Sequence, residues 1–208
     1  MSGNTVPKIR LIDDLSAPGT NRTVTTTEKL NLGGIDEAVG IAKLFVLSAA
    51  ETQAVFKTED GPDICCLVHE EWHKTKAVCK GRTLDLKAAY KQLAVNAADY
   101  DVSLVTVYNP KKKQPEMWRL LALPFGATAS VYSFNRMARV IERIMSSVLK
   151  LLVSGYFDDY AQLEDSRLTK SATDSSEALL VLIGWTFAKS GKKYFVCLRL
   201  CLHFLAPR

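Results

Sequence analysis

Residues 151–163 read LLVSGYFDDYAQL, and they place two adjacent aspartates between two apolar segments. Leu151–Phe157 and Tyr160–Leu163 predict two strands joined by a hairpin turn at Asp158 and Asp159. Like charges held side by side repel, and a buried site raises their pKa unless a cation compensates. A hard cation such as Mg²⁺, which prefers carboxylate oxygen, removes that cost. The hairpin turn is therefore a candidate metal site.

A third carboxylate occurs in a similar setting earlier in the chain. Asp85 lies in the short predicted strand Thr83–Leu86, where that strand meets the next element. If this strand and the hairpin are neighbours in one sheet, the three carboxylates converge and form a two-metal site for in-line phosphoryl displacement. The alternative is a solvated Asp-Asp turn with Asp85 as a cap or turn residue, and spacing alone favours this alternative.

The rest of the chain predicts helices and strands without a regular βαβ rhythm, which indicates an α+β fold. The best helix, Ser130–Lys150, has one apolar stripe, with Arg139 and Glu142 among the residues on its other faces. Asp174 and Glu177 are spaced to cap a further helix. Three further elements are predicted. Lys8–Asp14 forms a strand, and Asp36–Phe56 forms one or two helices. Asp101–Tyr108 and Glu116–Leu123 form a hairpin.

The length of the chain limits the size of its core, and the distribution of charge limits what the net charge says about partners. The 208 residues, 48% of them apolar, suffice for one sizeable core. The formal net charge is +5, but no Asp or Glu follows Glu177. Five cations beyond that residue equal the whole surplus, so net charge says little about nucleic acid binding. These cations are Lys189, Lys192, Lys193, Arg199 and Arg208.

The apolar segments and the cysteines indicate the compartment. The start, MSGNTVPKIR, lacks the apolar core of a signal peptide, and no apolar run is long enough to span a bilayer. Five cysteines without a disulfide-like pattern predict reduced thiols in an intracellular protein, cytoplasmic or nuclear and not secreted. A soft-ligand cluster fits no strong zinc spacing, and Cys65–Val68 is predicted to be a buried core segment. That cluster comprises Cys65, Cys66, His69, His73 and Cys79.

Three segments resemble the palm motifs of reverse transcriptases, in the same order and at similar separations. They are TLDLKAAYKQL at Thr83–Leu93, LPFGATASVYSFNR at Leu123–Arg136, and YFDDY at Tyr156–Tyr160. The form of the second motif is similar to that of retrotransposon polymerases with a proline-phenylalanine-glycine sequence, such as tyrosine-recombinase (DIRS-like) elements. The resemblance covers Lys8 to Ser190, and the ordered trio is specific where any one motif is weak.

The resemblance implies a polymerase palm, in which helices back an antiparallel sheet, together with partial fingers. The expected domains are a fingers and palm domain at 1–190 and an atypical tail at 191–208. The tail is unlike the helical thumb that follows the palm in the family, so a thumb is expected to be missing. The implied activity is RNA-directed DNA synthesis at a primer 3′ end. The alternative is a truncated, catalytically inert retroelement fragment with at most nucleic acid binding.

The resemblance also implies roles for particular residues. Asp85, Asp158 and Asp159 match the catalytic carboxylates that bind Mg²⁺ or Mn²⁺. Tyr90 matches the aromatic residue that excludes a ribose 2′-hydroxyl, and its alternative is a core tyrosine. Tyr156 and Phe157 are expected on the primer side. The expected contacts with the incoming nucleotide are Arg10, Leu86, Lys87, Ala88, Ala89, Tyr90, Phe125 and Gly126.

The implied partners follow from the same resemblance. They are a primer-template of RNA or DNA and deoxynucleoside triphosphates. No membrane partner is expected, and the sequence makes no prediction of the oligomeric state.

Overall fold

The computed structural model describes residues 15–30, 32–57, 61–74, 78–188 and 196–197. Arg10, the predicted strand Lys8–Asp14 and nearly all of the C-terminal tail lie outside the described residues. The helices are α1 (Ile35–Ala50), α2 (Glu70–Lys74), α3 (Thr128–Arg143) and α4 (Thr169–Leu182). The strands are β1 (Gln53–Phe56), β2 (Ile64–Leu67), β3 (Cys79–Asp85), β4 (Leu104–Asn109), β5 (Gln114–Arg119), β6 (Val153–Tyr156), β7 (Asp159–Asp165) and β8 (Val196–Cys197).

The chain divides into two compact units. One lies within Met1–Leu30 and Ala88–Met137, and the other within Asn31–Lys87 and Ala138–Arg208. Helices and small antiparallel sheets occur together, which confirms the predicted α+β class. No helix among the described residues is both long and apolar enough to cross a membrane.

The second unit contains a four-stranded sheet in the order β6-β7-β3-β8. β6 and β7 form the hairpin predicted around Asp158 and Asp159, with Tyr156 opposite Asp159 as its last pair. β3 is antiparallel to β7 and ends at Asp85, as its sequence predicted, although it begins earlier, at Cys79. The sheet therefore brings the two predicted carboxylate strands next to each other.

Arg82 fixes how β3 lies against β7. Its Nε donates a hydrogen bond of 2.8 Å to Oε1 of Gln162, the residue directly opposite on β7. Its Nη1 forms an ion pair of 2.9 Å with Glu177 of α4, and its Nη2 donates to Ser176. A slip of one residue along β7 would turn this guanidinium, which is only 8% exposed, to the opposite face of the sheet. The contacts of Arg82 therefore specify both the register and the position of α4.

The opposite face of the sheet is covered by α1 at one end. Phe45, Cys79 and Leu163 form a buried cluster, and the Phe45 ring lies 5.2 Å from that of Trp72. Because side chains alternate along a strand, Cys79 shares its face with Asp85 but lies roughly 20 Å from it along β3. The apolar core and the carboxylates thus occupy opposite ends of the same face.

Three sequence predictions were wrong. The helix predicted over Asp36–Phe56 ends at Ala50, because its last residues instead pair with β2. Asp174 does not cap α4, which begins at Thr169; its carboxylate pairs with Lys170, one helical turn away, at 2.6 Å. Cys65 and Cys66 are exposed rather than buried, because β1 and β2 form a sheet of only two strands.

The first unit contains the hairpin predicted from Asp101–Tyr108 and Glu116–Leu123, formed by β4 and β5. A second connection ties the segment after Tyr90 to the segment before α3. Val95 N–H donates to the carbonyl of Leu121 at 3.1 Å, and Leu123 N–H donates to the carbonyl of Leu93 at 2.9 Å. The second of these bonds joins the end of the first sequence motif to the start of the second.

Two glycines in the second unit bring backbones into close contact. A Cβ atom added to the buried Gly33 would lie 2.2 Å from the carbonyl oxygen of Gly155 in β6. One residue earlier in β6, the Ser154 hydroxyl donates to Glu37 of α1 at 3.0 Å. The segment that enters α1 therefore lies directly against the strand that leads to the carboxylate turn.

We expect Gly33→Ala to lower the free energy of unfolding by about 2 kcal/mol or more, because the new methyl group meets backbone that cannot move cheaply. Gly40→Ala is the matched control, since nothing lies within 4 Å of its added Cβ and the residue is inside α1. This control should stabilise the protein by about 0.5–1 kcal/mol through helix propensity. Chemical denaturation of both variants measures the two values, and a neutral Gly33→Ala would contradict the close approach.

Candidate functional site

Asp85 and Asp159 face each other across the central strands of the second unit. Asp85 is the last residue of β3, Asp159 is the first of β7, and the register pairs them directly. Directly opposed residues of antiparallel strands share one face, with Cβ atoms about 4.5–5.5 Å apart. Asp85 is half-buried and Asp159 is exposed, so the pair lies at the solvent boundary of the sheet.

Asp158 lies in the turn between β6 and β7. The turn requires a left-handed backbone at Phe157, whose φ is 52°. The carbonyl oxygen of Asp158 accepts a hydrogen bond of 2.9 Å from the N–H of Leu86, the residue after Asp85. The structure therefore brings the three predicted carboxylate residues to the same end of the sheet.

The carboxylates supply the oxygen ligands that a hard divalent cation prefers. In the described part of the chain, no three His, Cys, Asp or Glu side chains form a group placed to hold a metal ion. Mg²⁺ often uses only one or two protein carboxylates and completes its shell with water and substrate phosphates. The donor set of Asp85 with Asp158 or Asp159 is therefore chemically suited to Mg²⁺ or Mn²⁺.

Tyr160 anchors the β7 side of the turn. Its side chain is fully buried, and its hydroxyl donates to the carbonyl of Ala138 in α3 at 3.0 Å. Burial, followed by the negative charges of Glu142 and Asp158, raises the pKa of Tyr160. The hydroxyl therefore remains a proton donor at neutral pH.

Glu142 anchors the β6 side of the turn, a role that the sequence did not indicate. The helical pattern placed Glu142 away from the apolar stripe, yet it is only 8% exposed. Its carboxylate accepts hydrogen bonds from the N–H of Gly155 at 3.1 Å and from Arg139 at 2.6 Å. Burial raises the pKa of Glu142, while the Gly155 amide and Arg139 favour the ionised form. In the sequence, the only local signal of this ion pair was the three-residue spacing of Arg139 and Glu142 within a predicted helix.

The segment after Asp85 has two of its amides bonded within the second unit. Leu86 donates to Asp158 and Lys87 donates to the carbonyl of Thr186 at 3.0 Å. Contact between a triphosphate and these backbone N–H groups would compete with those bonds. Ala88, the next residue, has a left-handed backbone with a φ of 56°. The contact predicted for residues 86–89 stays a prediction.

Tyr90 belongs to an aromatic cluster in the first unit. Its ring stacks on Phe134 of α3, with centroids 4.7 Å apart, and meets Phe125 edge-on at 5.1 Å. Phe134 is fully buried, Tyr90 is half-buried and Phe125 is 42% exposed. A ring held in this way has a fixed position, which suits a steric gate and a core tyrosine equally.

The residues predicted on the primer side lie in the second unit. Tyr156 is 56% exposed, and its ring meets that of Phe157 edge-on at 5.1 Å. Tyr156 also pairs with Asp159 at the end of the hairpin. An exposed aromatic ring therefore lies next to the carboxylate turn.

Asn21 holds the loop that begins the second sequence motif, and no sequence pattern indicated it. Its side-chain amide donates to the carbonyl of Gly126 at 3.0 Å and accepts from the N–H of Thr128 at 2.9 Å. Gly126 has a φ of 112°, a conformation open almost only to glycine. Asn21 therefore caps α3 from a distant part of the sequence and fixes the loop that contains Phe125.

Comparison of the sequence with protein-family models and with curated proteins found no match.

We expect Asn21→Ala to lower the free energy of unfolding by about 1 kcal/mol or more, since it removes a helix cap together with the hydrogen bonds to Gly126 and Ser16. Asn96→Ala is the control, because Asn96 accepts only a local bond from Ala98 at 3.1 Å, in a helical turn of three residues. Thermal unfolding followed by circular dichroism compares the two variants. Equal losses would show that the long-range cap contributes nothing beyond a local turn.

Proposed function

We propose that the chain is a palm-type polymerase of a retroelement, an RNA-directed DNA polymerase that adds deoxynucleotides to a primer 3′ end. The observation that carries the proposal is the direct pairing of Asp85 with Asp159 on neighbouring antiparallel strands. Asp158 follows in the adjoining turn, so the first and third sequence motifs lie together. The partners would be a primer-template and deoxynucleoside triphosphates, found in the cytoplasm or the nucleus.

The reaction would join the primer 3′-oxygen to the α-phosphorus and release pyrophosphate. Asp85 and Asp158 would hold Mg²⁺ or Mn²⁺, and Asp159 would support them. The bound ion would neutralise charge that develops on the phosphoryl oxygens. Asp85 and Asp159 would be held at strand ends and Asp158 in the short turn beside them, and such fixed placement is what catalysis by positioning requires.

The other contacts would orient the substrates. Arg10 would pair with triphosphate oxygens as a planar fork, and Leu86–Ala89 would pass them at backbone level. Phe125 and Gly126 would lie near the base and template. Tyr156 and Phe157 would pack against the primer end, because their rings offer contact area rather than chemistry.

A second candidate function is an inert retroelement-derived protein with at most nucleic acid binding. It is favoured by one observation, the lack of a preformed group of three metal-ligating side chains among the described residues. Primer extension separates the two candidates, since binding alone leaves the primer unchanged.

We expect the purified 208-residue chain to give at most weak primer extension with Mn²⁺ or Mg²⁺ at low salt. Asp158→Ala should reduce extension by on the order of a hundredfold or more, because it removes a metal ligand. Asp174→Ala is the matched control, since that aspartate forms only an exposed pair with Lys170. A folded wild-type chain without activity would favour the inert candidate, and equal activity in Asp158→Ala would refute the assigned site.

Tyr90 allows a separate test that concerns sugar selectivity. Tyr90→Ala removes the ring that would fill the space of a 2′-hydroxyl, so we expect ribonucleotide use relative to deoxynucleotide use to rise about tenfold or more. Tyr90→Phe keeps the stacked ring and should keep the selectivity. Single-nucleotide incorporation with paired substrates measures the ratio, and an unchanged ratio in Tyr90→Ala would assign Tyr90 to the core.

A further inference from the structure

The carboxylate turn belongs to a hairpin whose first strand is the edge of its sheet. Within the part of the chain that the structure describes, β6 pairs only with β7 in the order β6-β7-β3-β8, and no strand neighbours its other side. Backbone amides on that side need partners from elsewhere, because an unpaired buried N–H is destabilising. Gly155, three residues before Asp158, has such an amide, and Glu142 is its partner.

The site around Gly155 is shaped for this carboxylate. A Cβ atom on Gly155 would lie 3.0 Å from Oε2 of Glu142 and 3.2 Å from the Tyr160 ring. Glycine therefore leaves room for the acid to approach the strand. Arg139, one helical turn before Glu142, forms an ion pair with the same carboxylate at 2.6 Å and orients it.

α3 thus contacts the hairpin on both sides of the turn. Glu142 bonds to Gly155 on β6, and the carbonyl of Ala138 bonds to Tyr160 on β7. Ala138 and Glu142 are four residues apart, so they lie on the same face of α3. Gly155 and Tyr160 are also directly opposite in the hairpin. One stretch of helix therefore holds both strands next to the two aspartates.

We propose that Glu142 is a positioning residue that holds the Asp158–Asp159 turn through the Gly155 amide. The effect of Glu142 on metal binding rests on the proposed function, whereas its effect on the conformation of the turn does not. Glu142 acts only through the backbone of β6 and does not itself belong to the group of metal-binding carboxylates. A charge-assisted bond is stronger than a neutral one, and its loss would leave a buried amide unsatisfied.

The first experiment measures hydrogen exchange of the amides at 156–159 in the full chain. Glu142→Ala removes the acceptor, so exchange there should be about tenfold faster or more. Glu142→Asp, which draws the carboxylate back by one methylene, should act in the same direction and serves if the alanine variant does not fold. Glu142→Gln keeps an acceptor oxygen but loses the charge, so its exchange should lie between that of wild type and that of Glu142→Ala.

Glu177→Ala is the matched control, because it breaks another part-buried ion pair of this unit, with Arg82. Glu177→Ala should lower the free energy of global unfolding. Any faster exchange of the amides at 156–159 should be no larger than that loss of global stability explains. If Glu142→Ala and Glu142→Asp leave the exchange of this turn unchanged, or affect it no more than Glu177→Ala, the positioning role is overturned.

A second readout links the turn to metal binding. Electron paramagnetic resonance titration with Mn²⁺ should give a Kd about tenfold higher for Glu142→Ala than for Glu142→Gln or Glu177→Ala. Asp158→Ala tests the proposed site separately. If Asp158→Ala binds Mn²⁺ like wild type, the proposed function fails, and the exchange experiment still decides the role of Glu142. If Asp158→Ala loses Mn²⁺ but Glu142→Ala does not, the coupling of Glu142 to the metal site is refuted.

Discussion

The structure of the second unit depends on the register between β3 and β7. That register places two carboxylates, Asp85 and Asp159, directly opposite each other, which is unfavourable for like charges on one face of a sheet. Other pairs in the same ladder outweigh the repulsion. Leu84 and Tyr160 are opposed and almost fully buried, and Arg82 bonds across to Gln162. Sheet packing therefore forces the two acids together, and a local conflict of this kind is expected where function is selected over stability.

Two backbone outliers flank the same acids. Phe157 and Ala88, neither of them glycine, have positive φ, a conformation that costs of order 1 kcal/mol or more per residue. Phe157 turns the chain just before Asp158, and Ala88 turns it three residues after Asp85. Two hydrogen bonds to α3, from the Gly155 amide to Glu142 and from the Tyr160 hydroxyl to the carbonyl of Ala138, hold the β6–β7 turn in place despite this cost. Asn21 and Gly126 play a comparable part in the first unit, where a distant side chain fixes a glycine-dependent loop.

The sequence predicted the elements whose causes are local. The hairpin around Asp158, the strand that ends at Asp85 and the helix that became α3 all follow from apolar periodicity and turn residues. The buried state of Glu142 could not be predicted, because its partner amide is left over only when β6 is an edge strand, and strand order is not a local property. The exposure of Cys65 has the same origin, since apolar residues in a two-stranded sheet have no second layer to cover them.

Stability alone gives a poor account of the acidic end of the sheet. A neutral β-forming residue at position 85 or 159 would remove the direct opposition of two carboxylates across the strands. A fold maintained only for its packing would favour such a replacement, as unfavourable charge pairs are among the easiest defects to remove. The acids are instead held by rigid strands, a buried tyrosine and a buried glutamate. This combination of repulsion and rigid support is what a site requires if it is to bring carboxylates together for a cation.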